Sequence, residues 1–183
     1  RLLVRIRFYN QILISGTSKY TPKHYETPTM LGKKWQIDVK YVPNECKARS
    51  LPDDKRYYQY TCIDEATRER FLYWYEEHTP ANTVDFIKRC IEYYGYKPEE
   101  IQTDNGTEFT YNKEQIKVMH PMDEYCIKEG IYHHKIRPRT PRHNGKVERS
   151  HRNDNERFYS FLTFYSLEDL INQGKRYLKR SNN

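Results

Sequence analysis

The sequence predicts one α/β domain in which helices flank a five-stranded mixed sheet. Two observations support this: three strand-like segments follow one another between residues 34 and 75, and from residue 79 onward helical segments alternate with short strands. Elements in this order form mixed layers around one sheet. The chain has 183 residues, enough to bury a core without disulfides. We therefore assign residues 32–183 to the domain and residues 1–31 to an extended lead-in.

The first three predicted strands form an antiparallel unit. In residues 34–42 apolar and polar side chains alternate, which is typical of a strand with one polar face, and Asp38 falls on that face. Two more strands are predicted at residues 57–63 and 69–75, the first of them after a hairpin loop at residues 44–55. Strands that follow one another through such connections pair antiparallel.

The periodicity then changes to that of helices. Thr79 is a suitable N-cap before Pro80, and the helix ends at Gly95. The remaining predicted elements are a strand at 98–103, a helix at 112–129, a strand at 131–135, a long helix from about His143 to Tyr165, and a last helix capped by Ser166 that runs to Lys179. On the long helix, the residues expected to face the core are Val147, Phe158, Phe161, Leu162 and Tyr165.

Composition limits the classes of function. The 32 basic and 25 acidic residues give a net charge of +7, which permits a polyanionic partner. The four cysteines are widely spaced without a C-x-x-C pair, which argues against a zinc ribbon and a disulfide scaffold and favours reduced, half-buried thiols in a cytosolic protein. No segment has the length of a membrane span, so no membrane partner is expected. Because the chain begins with Arg1, we expect a piece of a longer protein.

Three carboxylates stand out by their context. Asp38 lies on the polar face of the first strand, Asp104 opens an Asp-Asn-Gly turn after a buried strand, and Glu148 lies near the start of the long helix. Mg²⁺ prefers oxygen ligands, and two such ions can clamp the attacking and leaving oxygens of a phosphoryl displacement. A strand, a turn and a helix can bring three acids to one point.

Each acid also has a simpler explanation. Asp38 can be a solvated strand residue, Asp104 can merely initiate its turn, and Glu148 can pair with an arginine one helical turn away, at position 152. Three further acids compete for the same roles: Asp64, Glu108 and Glu156.

A basic stretch surrounds the third acid. Residues 135–157 contain eight Lys or Arg and three acids, and on the long helix Lys146, Arg149 and Arg152 are predicted to project outward near Glu148. A basic helix beside a metal site suits a phosphodiester substrate. The alternative is an ordinary solvated helix face.

Residues 35–41, 101–109 and 140–152 resemble the three blocks of the DDE integrase catalytic core, which retroviral integrases share with bacterial insertion-sequence transposases. The likeness is greater to the bacterial transposases. The resemblance implies an RNase H-like fold and DNA strand cleavage and transfer without a covalent protein–DNA intermediate. It also implies that Asp38, Asp104 and Glu148 hold two Mg²⁺ or Mn²⁺ ions and that DNA is contacted by Arg139, Arg142, His143, Asn144, Lys146, Arg149 and Arg152.

The same resemblance implies the partners: transposon ends, a target duplex and further copies of the chain assembled on DNA, in bacterial cytoplasm close to the nucleoid. Between Asp104 and Glu148 lie 43 residues, more than in many members, so residues 111–122 are interpreted as an insertion. Two alternatives remain: a DNA-binding remnant that has lost its chemistry, and an RNase H-like nuclease that only hydrolyses.

Overall fold

The five predicted strands form one sheet in the computed structural model, which describes residues 27–111, 118–136 and 145–182. The strands are β1 (Lys34–Tyr41), β2 (Tyr58–Asp64), β3 (Arg70–Tyr75), β4 (Glu100–Thr103) and β5 (Tyr132–Lys135). Their spatial order is β3-β2-β1-β4-β5. The first three pair antiparallel, as predicted, and β4 and β5 add to β1 in parallel. The predicted mixed sheet is confirmed.

The described residues contain four α-helices, namely α1 (Pro80–Tyr94), α2 (Pro121–Glu129), α3 (Gly145–Arg157) and α4 (Leu167–Ser181). The ends of α1 are as predicted: the Thr79 hydroxyl accepts a hydrogen bond from the Asn82 backbone N–H, and Gly95 ends the helix with a φ of +75°. The start of α4 is also as predicted, because the Ser166 hydroxyl accepts from the Asp169 backbone N–H. No helix in this part of the chain is long and apolar enough to cross a membrane.

The predicted helix at 112–129 is wrong at its start. Helix α2 begins at Pro121, after the non-helical residues 118–120, whereas residues 112–117 of the expected insertion lie outside the described residues. A residue that precedes proline is sterically pushed out of the helical region, and His120 accordingly has extended dihedral angles and caps α2 with its ring.

The predicted helix from His143 to Tyr165 is too long. Helix α3 ends at Arg157, and a 3₁₀ turn at Tyr159–Phe161 follows. The chain turns there because its apolar residues do not keep one helical face: Phe158, Tyr159, Leu162 and Phe164 all enter the core, and Phe164 pairs with Lys47 in a β-bridge. As a consequence Phe161 and Tyr165, which were expected to face the core, are exposed by 86% and 66%.

The two faces of the sheet differ in chemistry. One face carries Trp35, Ile37 and Tyr60, which pack against α1 and α2 in an apolar core. A second apolar cluster lies where Leu72 and Trp74 of the opposite face meet α4 and the chain after α3. All four cysteines are free and fully buried rather than half-buried, at positions 46, 62, 90 and 126.

Helix α3 covers the rest of the opposite face through polar groups. Within one buried network the Arg70 guanidinium forms an ion pair with Asp154 at 2.7 Å and donates to the Ser150 hydroxyl. The other Asp154 oxygen accepts from the Gln59 amide at 2.8 Å. The Tyr177 hydroxyl of α4 donates to Asp154 at 2.9 Å. The network therefore ties β2, β3, α3 and α4 to one carboxylate.

We expect Asp154→Ala to lower the free energy of unfolding by about 3–5 kcal/mol, because it leaves the Arg70 guanidinium buried without its counter-charge. Chemical denaturation measures this change. The double variant Arg70→Met/Asp154→Leu should lose less than Asp154→Ala, since no buried charge is left alone. An equal or greater loss in the double variant would contradict this explanation.

We also expect Gly174→Ala to destabilise the protein by about 1–3 kcal/mol. Alanine normally favours a helix interior over glycine, but a Cβ atom at Gly174 would overlap the indole of Trp74. The matched control is Asn172→Ala on the exposed side of the same helix, which should leave the melting temperature unchanged or raise it. A stabilised Gly174→Ala protein would show that α4 can move away from the sheet.

Candidate active site

Sheet register brings two of the predicted acids together. In the parallel pairing of β1 with β4, Gln36 lies opposite Gln102. Side chains alternate along a strand. Asp38 within β1 and Asp104 directly after β4, each two residues further on, therefore lie on the same face of the sheet. This is the polar face that α3 covers.

The turn after β4 fixes the position of Asp104. Its carboxylate accepts a hydrogen bond from the Gly106 backbone N–H at 2.9 Å, and the Asn105 amide donates to the Ile136 carbonyl at 2.7 Å. The Glu108 carboxylate packs against Gly106 so closely that a Cβ atom there would collide with it. A side chain at this position would therefore require the flexible end of Glu108 to move away from the turn.

The electrostatics of Asp38 show that the acids are neighbours. Burial raises the pKa of Asp38 to about 7, with Asp104 the largest charged contributor and with smaller contributions from Glu108 and Glu148. The hydrogen bond from the Val39 backbone N–H, at 2.9 Å, acts in the opposite direction. Burial and the charge of Asp104 also raise the pKa of Glu108. These carboxylates repel one another, and a cation would relieve that repulsion.

Glu148 reaches the site from the exposed side of the first turn of α3. That turn is held to the end of β2 by an ion pair at 2.7 Å between Lys146 and the buried Glu65. Further along α3, Lys40 of β1 donates to the Asn155 side chain at 2.5 Å. Contacts at both ends of the helix therefore set the distance of Glu148 from β1.

His151 is a neighbour of Asp38 that the sequence did not single out as a site residue. Its Nδ1 lies 3.7 Å from the Asp38 carboxylate, and its Nε2 lies 3.1 Å from the Thr61 hydroxyl. Burial and the charge of Lys40 lower the pKa of His151 to about 4. The imidazole is thus neutral at pH 7 and does not form a salt bridge there. The sequence does contain a signal for it: His151 follows Glu148 by three residues, and residues at this spacing are neighbours on the surface of a helix.

The donor set suits a hard divalent cation. Asp38, Asp104, Glu108 and Glu148 offer carboxylate oxygens, and one or two carboxylates suffice for a Mg²⁺ ion that keeps several waters. Within residues 27–111, 118–136 and 145–182, no three His, Cys, Asp or Glu side chains stand close enough together to ligate one ion. The fit consequently rests on the chemistry of the oxygens and on their mutual repulsion.

The competing acids have different surroundings. Asp64, the last residue of β2, is fully buried beside the start of β1. It accepts hydrogen bonds from the Trp35 indole and the Tyr96 hydroxyl, so its role is structural. Glu156 is exposed on α3. Glu108 belongs to the acidic cluster. The alternative ion pair of Glu148 with the arginine at position 152 is not formed, although both residues are described.

The predicted DNA contacts divide into three groups. Four of them, Arg139, Arg142, His143 and Asn144, lie outside the described residues. Lys146 is half-buried in its ion pair with Glu65. Arg149 and Arg152 are both exposed on α3. Their contact with DNA stays a prediction.

Comparison with known proteins gives concordant matches. Residues 28–141, which include Asp38 and Asp104 and end before Glu148, match the integrase core domain family. A putative integrase of Spiroplasma virus SpV1-C74 is 33% identical over an alignment of 149 residues that covers 75% of this chain and 40% of that protein. The Pol polyprotein of the Nicotiana tabacum transposon TNT 1-94 is 32% identical over 112 residues, which are 60% of this chain and 8% of that protein. The chain thus spans less than half the length of these curated relatives.

Solved structures with the same fold come from retroviruses. A chain of the simian T-cell lymphotropic virus intasome, solved in complex with PP2A regulatory subunit B56 gamma, has a TM-score of 0.61 at 18% identity, and the match covers 80% of this chain and 47% of that one. The HTLV-2 integrase catalytic core domain in complex with magnesium has a TM-score of 0.58 at 20% identity, with 81% and 85% covered. The predicted RNase H-like fold is therefore confirmed.

The raised pKa of Asp38 predicts how stability depends on pH. Between about pH 4 and 7 the unfolded chain loses the Asp38 proton while the folded, metal-free protein keeps it, so the stability contributed by this group falls as the pH rises. Asp38→Asn removes the cost of ionising a buried carboxylate and should raise the free energy of unfolding at pH 8 by up to about 4 kcal/mol, with little effect at pH 4. Thermal unfolding of the wild-type protein and the variant at each pH, in the presence of a chelator, measures this difference.

The control for this experiment is Asp54→Asn in an exposed loop, which should change stability little at either pH. Added Mn²⁺ should stabilise the wild-type protein at pH 8 and have a smaller effect on Asp38→Asn. If Asp38→Asn stabilised the protein equally at pH 4 and pH 8, repulsion among the acids would not be the source of the gain in stability.

Proposed function

Because the chain belongs to the integrase core domain family, we propose that it is the catalytic core of a DDE transposase or integrase, which cuts DNA strands and joins them to a target. The observation that carries this proposal is the placement of Asp38 on β1 and Asp104 directly after the adjacent strand β4, where burial and like charges raise the pKa of Asp38. Such a cluster is costly unless it holds cations.

We assign Asp38, Asp104 and Glu148 as the residues that hold two Mg²⁺ or Mn²⁺ ions. When bound, such ions supply stabilisation of the attacking and leaving oxygens of the phosphoryl transfer. Asp38 must release its proton to act as a ligand, so ion binding is coupled to proton release below about pH 7. The magnesium in the HTLV-2 core structure supports this choice of ion.

The neighbouring side chains have positioning roles in this proposal. Neutral His151 lies between Thr61 and Asp38, where it limits the rotation of the carboxylate without adding a charge. Gly106 gives Glu108 room beside Asp104, and the fourth acid increases the negative potential there. Arg152, exposed one turn after Glu148, is suitably placed to contact a DNA phosphate.

We further propose that the chain acts on transposon ends and a target duplex as an oligomer. The HTLV-2 integrase core has been solved in dimeric and trimeric forms, which supports assembly of copies. The matched relatives are longer than this chain, so their other segments can contribute to DNA recognition. A location in bacterial cytoplasm near the nucleoid stays a prediction.

We expect each of three substitutions to reduce metal-dependent strand transfer by more than about 100-fold: Asp38→Asn, Asp104→Asn and Glu148→Gln. Mutation of a residue that only hydrogen-bonds to a metal ligand already lowers metal affinity or activity by about 10–100-fold, and loss of a ligand itself should cost more. Each keeps the size of the side chain and removes its charge. The assay follows a labelled duplex end with a free 3′-hydroxyl as it joins a second duplex in Mn²⁺. Circular dichroism checks the fold of each variant.

The matched control is Glu156→Gln, which removes an exposed acid from the same helix as Glu148 and should keep full activity. Nicking without joining would favour the nuclease that only hydrolyses. DNA binding with neither reaction would favour the inactive remnant. Joining that survives Glu148→Gln would remove this residue from the site.

A further inference from the structure

A groove rich in arginine lies on the side of α3 that faces away from the acids. It encloses about 760 Å³ between the β2–β3 turn, α3 and α4. Among the described residues, its lining contains no acid and six cationic residues: Arg68, Arg70, Lys146, Arg149, Arg157 and Arg180. The two apolar side chains of the lining, Ile63 and Tyr177, are themselves buried in the fold. We call this feature the basic groove.

The basic groove and the acidic site use different flanks of α3. At 100° per residue, Arg149 and Arg157 lie about 100° and 180° around the helix from Glu148. His151 and Asn155, which contact β1 residues of the acidic site, lie on the other flank. The buried strip with Val147 and Asp154 separates the two flanks on the side of the sheet. A molecule in the basic groove therefore does not occupy the space in front of Asp38.

Most of the positive charge in the groove is not neutralised. Arg70 is paired with Asp154, and Lys146 with Glu65. Arg68, Arg149, Arg157 and Arg180 are exposed, and none of them has an acidic partner within 4.0 Å among the residues that the structure describes. Arg68 also has a left-handed φ of +66°, a conformation that is unfavourable for a residue with a Cβ atom. The chain thus keeps an arginine at a turn position where glycine or asparagine is more stable.

The positive surface continues beyond the groove. Arg157 and Arg180 also line a second hollow of about 270 Å³, where Arg176 joins them beside the exposed ring of Phe161. Arg149 and Arg157 are separated by about 12 Å along the axis of α3, the rise of eight residues. A DNA strand carries one phosphate per 3.4 Å of helix axis. The surface is thus long enough to follow several consecutive phosphates.

We propose that the basic groove binds the phosphate backbone of duplex DNA at a place separate from the acidic site. Guanidinium groups bind phosphate oxygens in a bidentate manner, and the groove presents four unpaired ones. A protein partner would instead be expected to bury aromatic or aliphatic residues at the centre of the interface, and the groove centre has none exposed. This inference rests on the proposed function in taking DNA as the polyanion.

Two double variants of one helix provide the test. Arg176→Gln/Arg180→Gln removes the charge of Arg180, which lines the basic groove and the second hollow, and that of Arg176, which lines the second hollow. Lys175→Gln/Lys179→Gln removes two charges with the same spacing from the other side of α4, near β3 and α1. Both pairs are exposed, and each member of one pair is next to a member of the other. The two proteins have the same net charge.

The measurement is the affinity of the 183-residue chain for a duplex oligonucleotide of arbitrary sequence, by fluorescence anisotropy in EDTA from about 50 to 200 mM salt. Without divalent ions no strand is cut, so the result does not depend on catalysis. The arginine variant should reduce the slope of log affinity against log salt by about 1.8, or 0.9 for each lost phosphate contact. The lysine variant should leave the slope unchanged.

Equal slopes for the wild-type protein and the arginine variant would overturn the proposal, as would an equal fall in both variants, which is an effect of net charge alone. Polyglutamate serves as a probe for an acidic protein partner. If the arginine variant lost polyglutamate binding and kept duplex binding, the groove would be a protein-docking surface and the proposal would also be overturned. A reduced slope in a chain without strand transfer would support the groove and contradict the proposed chemistry, so the two failures are distinguishable.

Discussion

The buried ion pair between Arg70 and Asp154 is the contact on which the arrangement of the site depends. Helix α3 has few apolar residues toward the sheet, with Val147 as its one fully buried aliphatic side chain among the described residues. Hydrophobic burial therefore contributes little to its attachment. Hydrogen bonds that converge on Asp154 from β2, β3 and α4 replace it, and a buried charge that loses its partner is costly enough to enforce one position. Glu148 is six residues away on the same helix, so this contact sets its position together with those of Lys146 and Lys40.

One face of the sheet forms an apolar core, and the other face carries the polar residues of the candidate site. The face with Trp35 and Ile37 is apolar and packs in the usual way against two helices. The other face is polar along β1 and β2, where Gln36, Thr61 and Asp38 alternate with those apolar residues. Polar groups buried there need directional partners, which makes the position of α3 specific. Asp38 accepts a hydrogen bond from the Val39 backbone N–H, but the neighbouring carboxylates repel it, and the result is a locally unfavourable cluster.

The sequence predicted the elements whose signals are local. Alternation over residues 34–42 and the caps at Thr79 and Ser166 identified β1 and the starts of two helices, because those signals depend on neighbours in the chain. The end of α3 was missed because its cause is tertiary: Tyr159 and Phe164 turn into a core that they form with residues of β3 and with Cys46, far away in sequence. Asp154 looked like one more charge on a polar helix for the same reason. The three acids were found through a sequence pattern, whereas the raised pKa of Asp38 arises only from the assembled cluster.

The two flanks of α3 face surfaces of opposite charge, the acids around Asp38 on one side and the basic groove on the other, and this has a consequence for a polyanionic substrate. Carboxylates around Asp38 repel phosphates, so DNA that approaches that flank alone meets an unfavourable potential. Arginines on the other flank, such as Arg149 and Arg157, attract the same molecule, and α3 fixes the distance between these arginines and the acids. Divalent cations at the acids would convert the repulsive flank into an attractive one. We therefore expect DNA and cations at the proposed sites to favour each other's binding. The proton on Asp38 opposes the binding of cations, although it also removes one of the negative charges that repel phosphates.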